Sequence, residues 1–339
     1  MQNFVQNAVV LTDGDLIFYY TGFSVDDGFL VILNGDYHLF TDGRYYEAAC
    51  EQANAKVYLQ SETPYQSFLK ENGVVKVGLV YDYTSAKEYE SLLSQGYSIY
   101  DYTSEHNELA SIKTSDELSK IKTACEIAER AYLNTLPFIK EGITELELSA
   151  ELEHNFKRLG AGVGFKTIVA FGKGSSVPHY KTGSVKLKKN TPILIDFGCN
   201  YQGFISDMTR TLFFGEPSEK FLLVYNAVKS AHLKAFNEIR SGMTTFEGDK
   251  IARDELDRFG LSKYFTHSLG HGIGVKVHEF PTLSPRTKTE LKDGMVFSIE
   301  PGVYLEGEFG VRIEDTVALQ NGKCVSMMTT DKDLLIIKG

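Results

Sequence analysis

The chain has 339 residues, 42% of them hydrophobic, and 45 acidic against 35 basic side chains give a formal net charge of −10 at neutral pH. That length fits two domains with a buried core each, and the acidic balance with dispersed Lys and Arg residues excludes a basic surface for nucleic acid or anionic membrane. No apolar stretch approaches the roughly 20 residues that span a bilayer, and the first basic residue is Arg44, so no charged leader region is expected and the expected location is the cytoplasm.

In chain order, short β-like runs at 9–11, 16–20, 29–33, 37–40, 57–60 and 75–81 alternate with helical patterns near 43–53, 64–71 and 85–95, which predicts a small α/β layer. Apolar periodicity lapses between Glu105 and Thr114, placing a boundary between domain 1–113 and domain 114–339. Thr114 with Glu117 forms a capping box, and Leu118, Ile121, Cys125, Ala128 and Tyr132 recur at helical spacing, predicting a helix to about Phe138. Thr144 with Glu147 opens a second helix, which Gly160 ends.

The apolar runs Ile193 to Phe197 and Phe204 to Phe214 flank the turn-like segment Asn200 to Gly203, which predicts a β-hairpin. A turn centred on Tyr201 and Gln202 sets Asp196 directly across from Asp207. A further helix runs from about Ser218 to Arg240, and a third capping box, Thr244 with Glu247, opens a helix to Phe259 before more strands. Helix pair plus strands, twice, describes an α+β domain with an internal duplication.

Directly opposed residues have Cβ atoms roughly 4.5–5.5 Å apart, and two carboxylates that close repel unless a proton or cation lies between them. The alternative is a solvated hairpin carrying two unrelated acids. Glu300 precedes Pro301-Gly302, and Glu314 lies in GVRIEDTVAL, whose period-two pattern sets Val311, Ile313 and Val317 on one face and Arg312, Glu314 and Thr316 on the other. In isolation this reads as an exposed Arg/Glu strand, or as a ligand carboxylate with an arginine that orients it. His271 sits in THSLGHGIGVKVHEFP with His267, His278 and glycines that let backbone come close to a ligand. No helix pattern follows, so this is not a phosphate loop, and Thr282 stands where a zincin helix would need its second histidine. One imidazole and four carboxylates, Asp196, Asp207, His271, Glu300 and Glu314, suit a pair of divalent ions and a hydrolytic reaction.

The segments LIDFGCNYQGFISDMTRT, SLGHGIGVKVHEFP, SIEPGVYL and GVRIEDT resemble the four signature blocks of the prolidase and aminopeptidase P metallopeptidases, over roughly 114–339. These share the creatinase or pita-bread fold. YYTGF, GFLVILNG and LFTDGRYYEAA resemble the smaller N-terminal domain that precedes it, a domain methionine aminopeptidases usually lack. The resemblance implies a pseudo-twofold catalytic domain and two metal ions on the five residues above, Mn2+ first with Co2+ or Zn2+ as alternatives. It implies His278 as oxyanion stabiliser, His179 and His267 as walls and donors of the proline pocket, Glu300 as proton shuttle and Arg312 as a substrate-binding or ligand-orienting residue. Substrates would be peptides with proline second, and the assembly a homodimer.

In prolidases of this type a basic residue often follows the HExP segment, whereas here Thr282 follows it, with Arg286 further on. That departure favours aminopeptidase P over a dipeptidase, unless Arg286, Arg312 or a second subunit supplies the charge. A metallohydrolase of small proline-like amides and a non-catalytic peptide-binding member are more distant readings, since all five ligands are intact. Cys50, Cys125, Cys199 and Cys324 form no CxxC and read as reduced thiols. Cys199, at the hairpin end, is not expected to be a ligand, and His38, His106, His154 and His232 read as structural.

Overall fold

In the computed structural model, which describes residues 6–338, the run Gln6–Leu11 forms β1 and is followed by α1 (Gly14–Thr21), β2 (Gly28–Leu33), β3 (Asp36–Thr41), α2 (Tyr46–Gln52) and β4 (Lys56–Leu59). Then come α3 (Tyr65–Glu71), β5 (Val74–Leu79), α4 (Ala86–Ser94), β6 (Ser98–Asp101) and α5 (Thr103–Ser111). The strands make one sheet in the order β4-β3-β2-β1-β5-β6, with β1, β2 and β3 antiparallel and the outer pairings parallel. Strand periodicity of two sends Val9, Leu11, Leu30 and Leu39 to one face, against Leu16, Ile17 and Ala49. Ala8, Val10, Val31 and Phe40 go to the other, against Phe68, Leu69 and Leu92. Helices therefore cover both faces. Leu16 to Tyr20, read from sequence as a strand, is helical: a wholly apolar run carries no period, and Asp13 caps it by accepting from the Asp15 and Leu16 amides.

The chain divides into two compact units after Leu109, within the last turn of α5. The second unit begins its regular structure with α6 (Ser115–Thr135), α7 (Glu145–Arg158), β7 (Gly162–Val163), β8 (Ile168–Phe171), β9 (Thr191–Phe197), β10 (Cys199–Tyr201), β11 (Phe204–Ile205) and β12 (Met208–Phe214). It continues with α8 (Glu219–Glu238), α9 (Thr245–Asp257), β13 (Gly270–Gly272), β14 (Glu279–Leu283), β15 (Val296–Ile299), β16 (Gly302–Leu305), β17 (Phe309–Arg312), β18 (Glu314–Gln320), β19 (Lys323–Ser326) and β20 (Ile336–Ile337). Its large sheet runs β14-β13-β15-β18-β12-β9-β8, with β19 added to β18 and β20 to β12. All three capping boxes form, at Thr114, Thr144 and Thr244.

The duplication is written in backbone hydrogen bonds. Before α7 the Gly142 amide donates to Leu187 O and Leu187 N to Ile143 O, and before α9 the Gly242 amide donates to Leu291 O and Leu291 N to Met243 O. Glu145 N to Val185 O is matched by Thr245 N to Thr289 O. The two halves meet in the sheet at the β12–β18 pair.

The hairpin is present, but its register differs from expectation: Asp196 faces Thr209, and Asn200 faces Ile205. The turn centres on Gln202 and Gly203, both at positive φ (50° and 85°). A two-residue hairpin turn of this hand needs positive φ at both positions, which glycine adopts freely and a tyrosine at 201 would not. Asp207 thus lies diagonal to Asp196, still on the same face.

Buried Glu255 of α9 accepts from Ser230 Oγ (2.7 Å) and Lys234 Nζ (3.0 Å) of α8 and from Arg258 (2.9 Å). The Ser230 hydrogen bond foremost, then the cations, hold its carboxyl down from 4.5 to about 2. A depressed acid contributes stability that is present above its unfolded pKa and lost on protonation. Glu255→Gln is expected to destabilise by about 1–3 kcal/mol near neutral pH, the gap between denaturant curves closing as pH falls from about 4.5 toward 2. A gap independent of pH would show that the charge does not link α8 to α9.

Candidate metal centre

Five neighbouring strands of the large sheet each bring one candidate ligand: Asp196 on β9, Asp207 just before β12, Glu314 on β18, Glu300 just after β15, and His271 on β13. Across the central strands Asp196, Thr209 and Glu314 form one row, since Thr209 faces both acids. Ligand atoms of Asp207, His271 and Glu314 lie within 4.8 Å of one another. His271 Nε2 is 3.3 Å from Glu300 Oε1 and 3.6 Å from Asp207 Oδ2. Asp196 adjoins this group through Arg312, whose Nη2 donates to Asp196 Oδ2 at 2.5 Å.

Each candidate ligand is oriented by something behind it. His271 Nδ1 donates to Gly272 O (3.2 Å), an assignment made from the carbonyl partner, so that Nε2 is the nitrogen turned toward the acids and would be the one to ligate once deprotonated. Thr316 Oγ1 accepts from Asp207 N (3.1 Å) and donates to Asp207 O (2.8 Å). Thr209 Oγ1 donates to Glu314 (2.6 Å) and accepts from Arg312 Nε (2.9 Å). Ser298 Oγ donates to Glu300 (3.3 Å) and accepts the His271 amide (3.1 Å). Gly270 lets β13 lie against β15, because a Cβ there would meet Ser298 O at 1.9 Å. That close approach is to protein backbone, where the sequence had suggested a ligand.

Burial raises the Asp207 carboxyl well above its ordinary range, and the charges of Glu314, Asp196 and Glu300 add to it. Burial and the neighbouring acids push Glu314 up to about 8, and burial raises Asp196 despite Arg312. Burial opposes charge on Glu300 and His271 too, but their contact wins, holding Glu300 near 2 and His271 near 9. Four buried carboxylates against one imidazole and one guanidinium leave negative charge in excess. Asp207 Oδ1 is buried without a hydrogen-bond partner. An orphaned carboxylate oxygen in an over-acidic cluster is what a divalent cation satisfies, so the residues fit a metal centre.

Of the other expected residues, Arg312 is buried and fully engaged, with Nη1 also donating to Tyr304 Oη (2.8 Å). His267 Nδ1 donates to Ser268 O (2.8 Å) and its Nε2 accepts from the Tyr304 hydroxyl (2.8 Å), so both ring nitrogens are satisfied inside the protein and its ring face is what remains for a pocket. Burial first pushes its imidazole down, keeping it neutral. His278 is exposed and packs edge-on against His271, ring centroids 4.3 Å apart. Partial burial of the ring, then the charges of His271 and His179, lower its pKa. His179 lies exposed in the loop after β8, next to Pro178, whose carbonyl is 3.5 Å from Arg312 Nη1.

Cys199 donates its thiol to Ala124 O (3.1 Å), and all four cysteines are free. His38 and His106 bond to Tyr58 and Tyr20, and His232 is buried, its pKa pushed down to about 4 by burial. Tyr304 was missed: it is buried, burial raises its phenol to about 12, and it joins His267 to Arg312. So were Asp249 and Arg253 of α9. Asp249 accepts from Leu269 N (3.0 Å), while Arg253, paired with it, donates to Phe265 O (2.8 Å) and His267 O (2.5 Å), holding the segment that leads to His271.

Residues 119–321 match the model of metallopeptidase family M24, and residues 3–111 match the creatinase/prolidase N-terminal domain. An Xaa-Pro dipeptidase of Pyrococcus furiosus is 34% identical over 94% of this chain and 92% of its own length. Among solved structures, an X-Pro aminopeptidase from Thermotoga maritima superposes with a TM-score of 0.90 at 31% identity, over 98% of both chains. An Xaa-Pro dipeptidase from Bacillus anthracis does so with 0.91 at 34% identity, over 98% of this chain and 95% of that one. The chain is a member of metallopeptidase family M24, with a creatinase-type N-terminal domain ahead of its catalytic domain.

Proposed function

We propose that this protein is a metal-dependent exopeptidase that hydrolyses the bond between an N-terminal residue and a following proline. The unpartnered Asp207 Oδ1 amid ligands from five adjacent strands carries the reading. Asp196, Asp207, His271, Glu300 and Glu314 would hold two divalent ions, with manganese suited to four oxygen donors and one imidazole. When bound, such ions supply Lewis acidity and a water acidic enough to act as nucleophile at neutral pH.

The chain's own groups do the rest. His278, exposed beside His271, donates to the oxyanion that forms on the scissile carbonyl. Glu300 takes up a proton and passes it to the departing proline nitrogen. That nitrogen carries no hydrogen in the substrate, so the pocket needs no acceptor for it and suits a ring. His267, neutral and with both nitrogens engaged, offers a flat wall for that ring, and His179 closes the other side. Arg312 holds Asp196 and is too fully committed to bind a substrate carboxylate.

The named relatives favour a dipeptidase, and we take Xaa-Pro dipeptides as the first substrates to test. Aminopeptidase action on longer peptides is the second reading. It is favoured by uncharged, exposed Thr282, which faces His271 across the β13–β14 ladder, where a cation would hold a C-terminal carboxylate. Xaa-Pro dipeptides, Xaa-Pro-Yaa tripeptides and a methionyl peptide lacking proline should be assayed on metal-stripped and Mn2+-reconstituted protein. Cleavage confined to the Xaa-Pro substrates, lost on stripping and restored by metal, is expected, and preference for dipeptide or tripeptide decides between the two readings. Failure to cut any Xaa-Pro bond would overturn both.

In the described residues no helix is long and apolar enough to cross a membrane. The four free thiols support a reducing compartment, consistent with the cytoplasm, and the homodimer implied by resemblance is read by light scattering.

A further inference from the structure

Glu145, the first residue of α7, is fully buried and its carboxylate has three neutral donors. Oε1 accepts the Phe171 amide at 2.8 Å, and Oε2 accepts the Gly183 amide at 3.0 Å and the Tyr180 hydroxyl at 3.1 Å. The capping of α7 does not need it, because Thr144 and Glu147 already complete the box. Burial raises its carboxyl, and the three hydrogen bonds only pull it back. A buried carboxylate without a countercharge stays costly even when hydrogen-bonded, which directs attention to what its three hydrogen bonds hold in place.

What they organise is the loop between β8 and β9. Phe171 ends β8, Gly183 lies beyond the loop's far side, and Tyr180 packs inside it, so one side chain closes both ends. Thr182 adds a second tie, its hydroxyl accepting from Val169 N (2.8 Å) and donating to Thr167 O (3.1 Å). Between the ties lie Ser175, whose hydroxyl accepts the Gly310 amide (2.9 Å), Pro178, which reaches Arg312, and His179. In the second half the matching position is Thr245, which bonds only to nearby Thr287 and Thr289 (3.0 and 3.2 Å). There β14 ends at Leu283 and the tied residue, Thr287, follows almost at once, whereas the first-half loop runs from Phe171 to Gly183.

We propose that Glu145 is a positioning residue for His179, clamping the loop that carries this imidazole to the edge of the metal centre. The inference rests on the Xaa-Pro reading above, in which His179 lines the pocket.

The test is a double-mutant cycle on full-length, Mn2+-loaded protein, with hydrogen exchange as a second readout. Glu145→Ala is expected to lower kcat/KM on an Xaa-Pro peptide by about tenfold, mostly through KM, and to have little further effect in a His179→Ala background. Exchange at 172–183 should rise while exchange in β9 and β12 stays unchanged, a measurement that needs no activity. If Glu145→Ala does not fold, Glu145→Gln, which keeps the volume but offers fewer acceptors, should show the same dependence on His179 with a smaller loss. Equal losses on Glu145→Ala in both backgrounds, full activity of the His179→Ala single variant, or unchanged exchange in the loop would each overturn the proposal. Wild-type protein inert on every Xaa-Pro peptide would instead sink the functional reading, and the exchange result would still decide whether Glu145 holds the loop.

Discussion

Asp207→Asn is expected to abolish peptide hydrolysis and to release the bound metal, while leaving the metal-free protein at least as stable as before. The side chain is buried, and its backbone is pinned on both sides by Thr316 Oγ1 at 3.1 and 2.8 Å, so an isosteric amide stays in place. In the metal-free protein burial and then Glu314, Asp196 and Glu300 oppose charge on Asp207, so a neutral amide costs the fold nothing there. With metal present the sign reverses, because the amide cannot replace a charged oxygen donor. At a metal concentration 100-fold above Kd, binding stabilises by about 2.7 kcal/mol. Calorimetric melts with and without Mn2+ should therefore show a metal-induced rise for the wild type and little or none for the variant. A variant that still turns over, or still melts higher with metal, would remove Asp207 from the ligand set.

Local chemistry was legible in the sequence. The three capping boxes at Thr114, Thr144 and Thr244 involve residues three apart, and all three form. The candidate cluster was legible as a grouping, because acids at the ends of otherwise apolar runs stand out, and the structure brings those four acids and His271 to adjacent strands. Register was not, because it turns on which residues tolerate positive φ: Gly203 takes a central turn position and shifts the ladder from the expected one. β6 and α5 went unread because SIYD is short and TSEHNELAS lacks an apolar period. Tyr304, Glu145 and Asp249 were invisible for a different reason. Each acts on groups far along the chain, His267 for Tyr304, Phe171 and Gly183 for Glu145, Leu269 for Asp249. The duplication, by contrast, was readable from the order of elements and the repeated capping boxes, and the paired hydrogen bonds around Gly142 and Gly242 fix which residues correspond.

His278→Ala should separate binding the metal from stabilising the transition state. The imidazole is exposed, so truncation leaves no sealed cavity, and it packs against His271 through its ring edge at a centroid distance of 4.3 Å. Folding and metal content are therefore expected to stay at wild-type levels. Its pKa is lowered first by the partial burial of the ring, which keeps it neutral near pH 7 with one N–H to donate. A neutral donor suits an oxyanion that appears only during reaction, since it offers the resting substrate little. Removing one such donor costs about 10²–10³ in kcat, and KM should change far less. Steady-state kinetics paired with metal analysis on the same preparation read both quantities. Retained kcat would assign oxyanion stabilisation elsewhere, and loss of metal would make His278 a ligand or a support for His271.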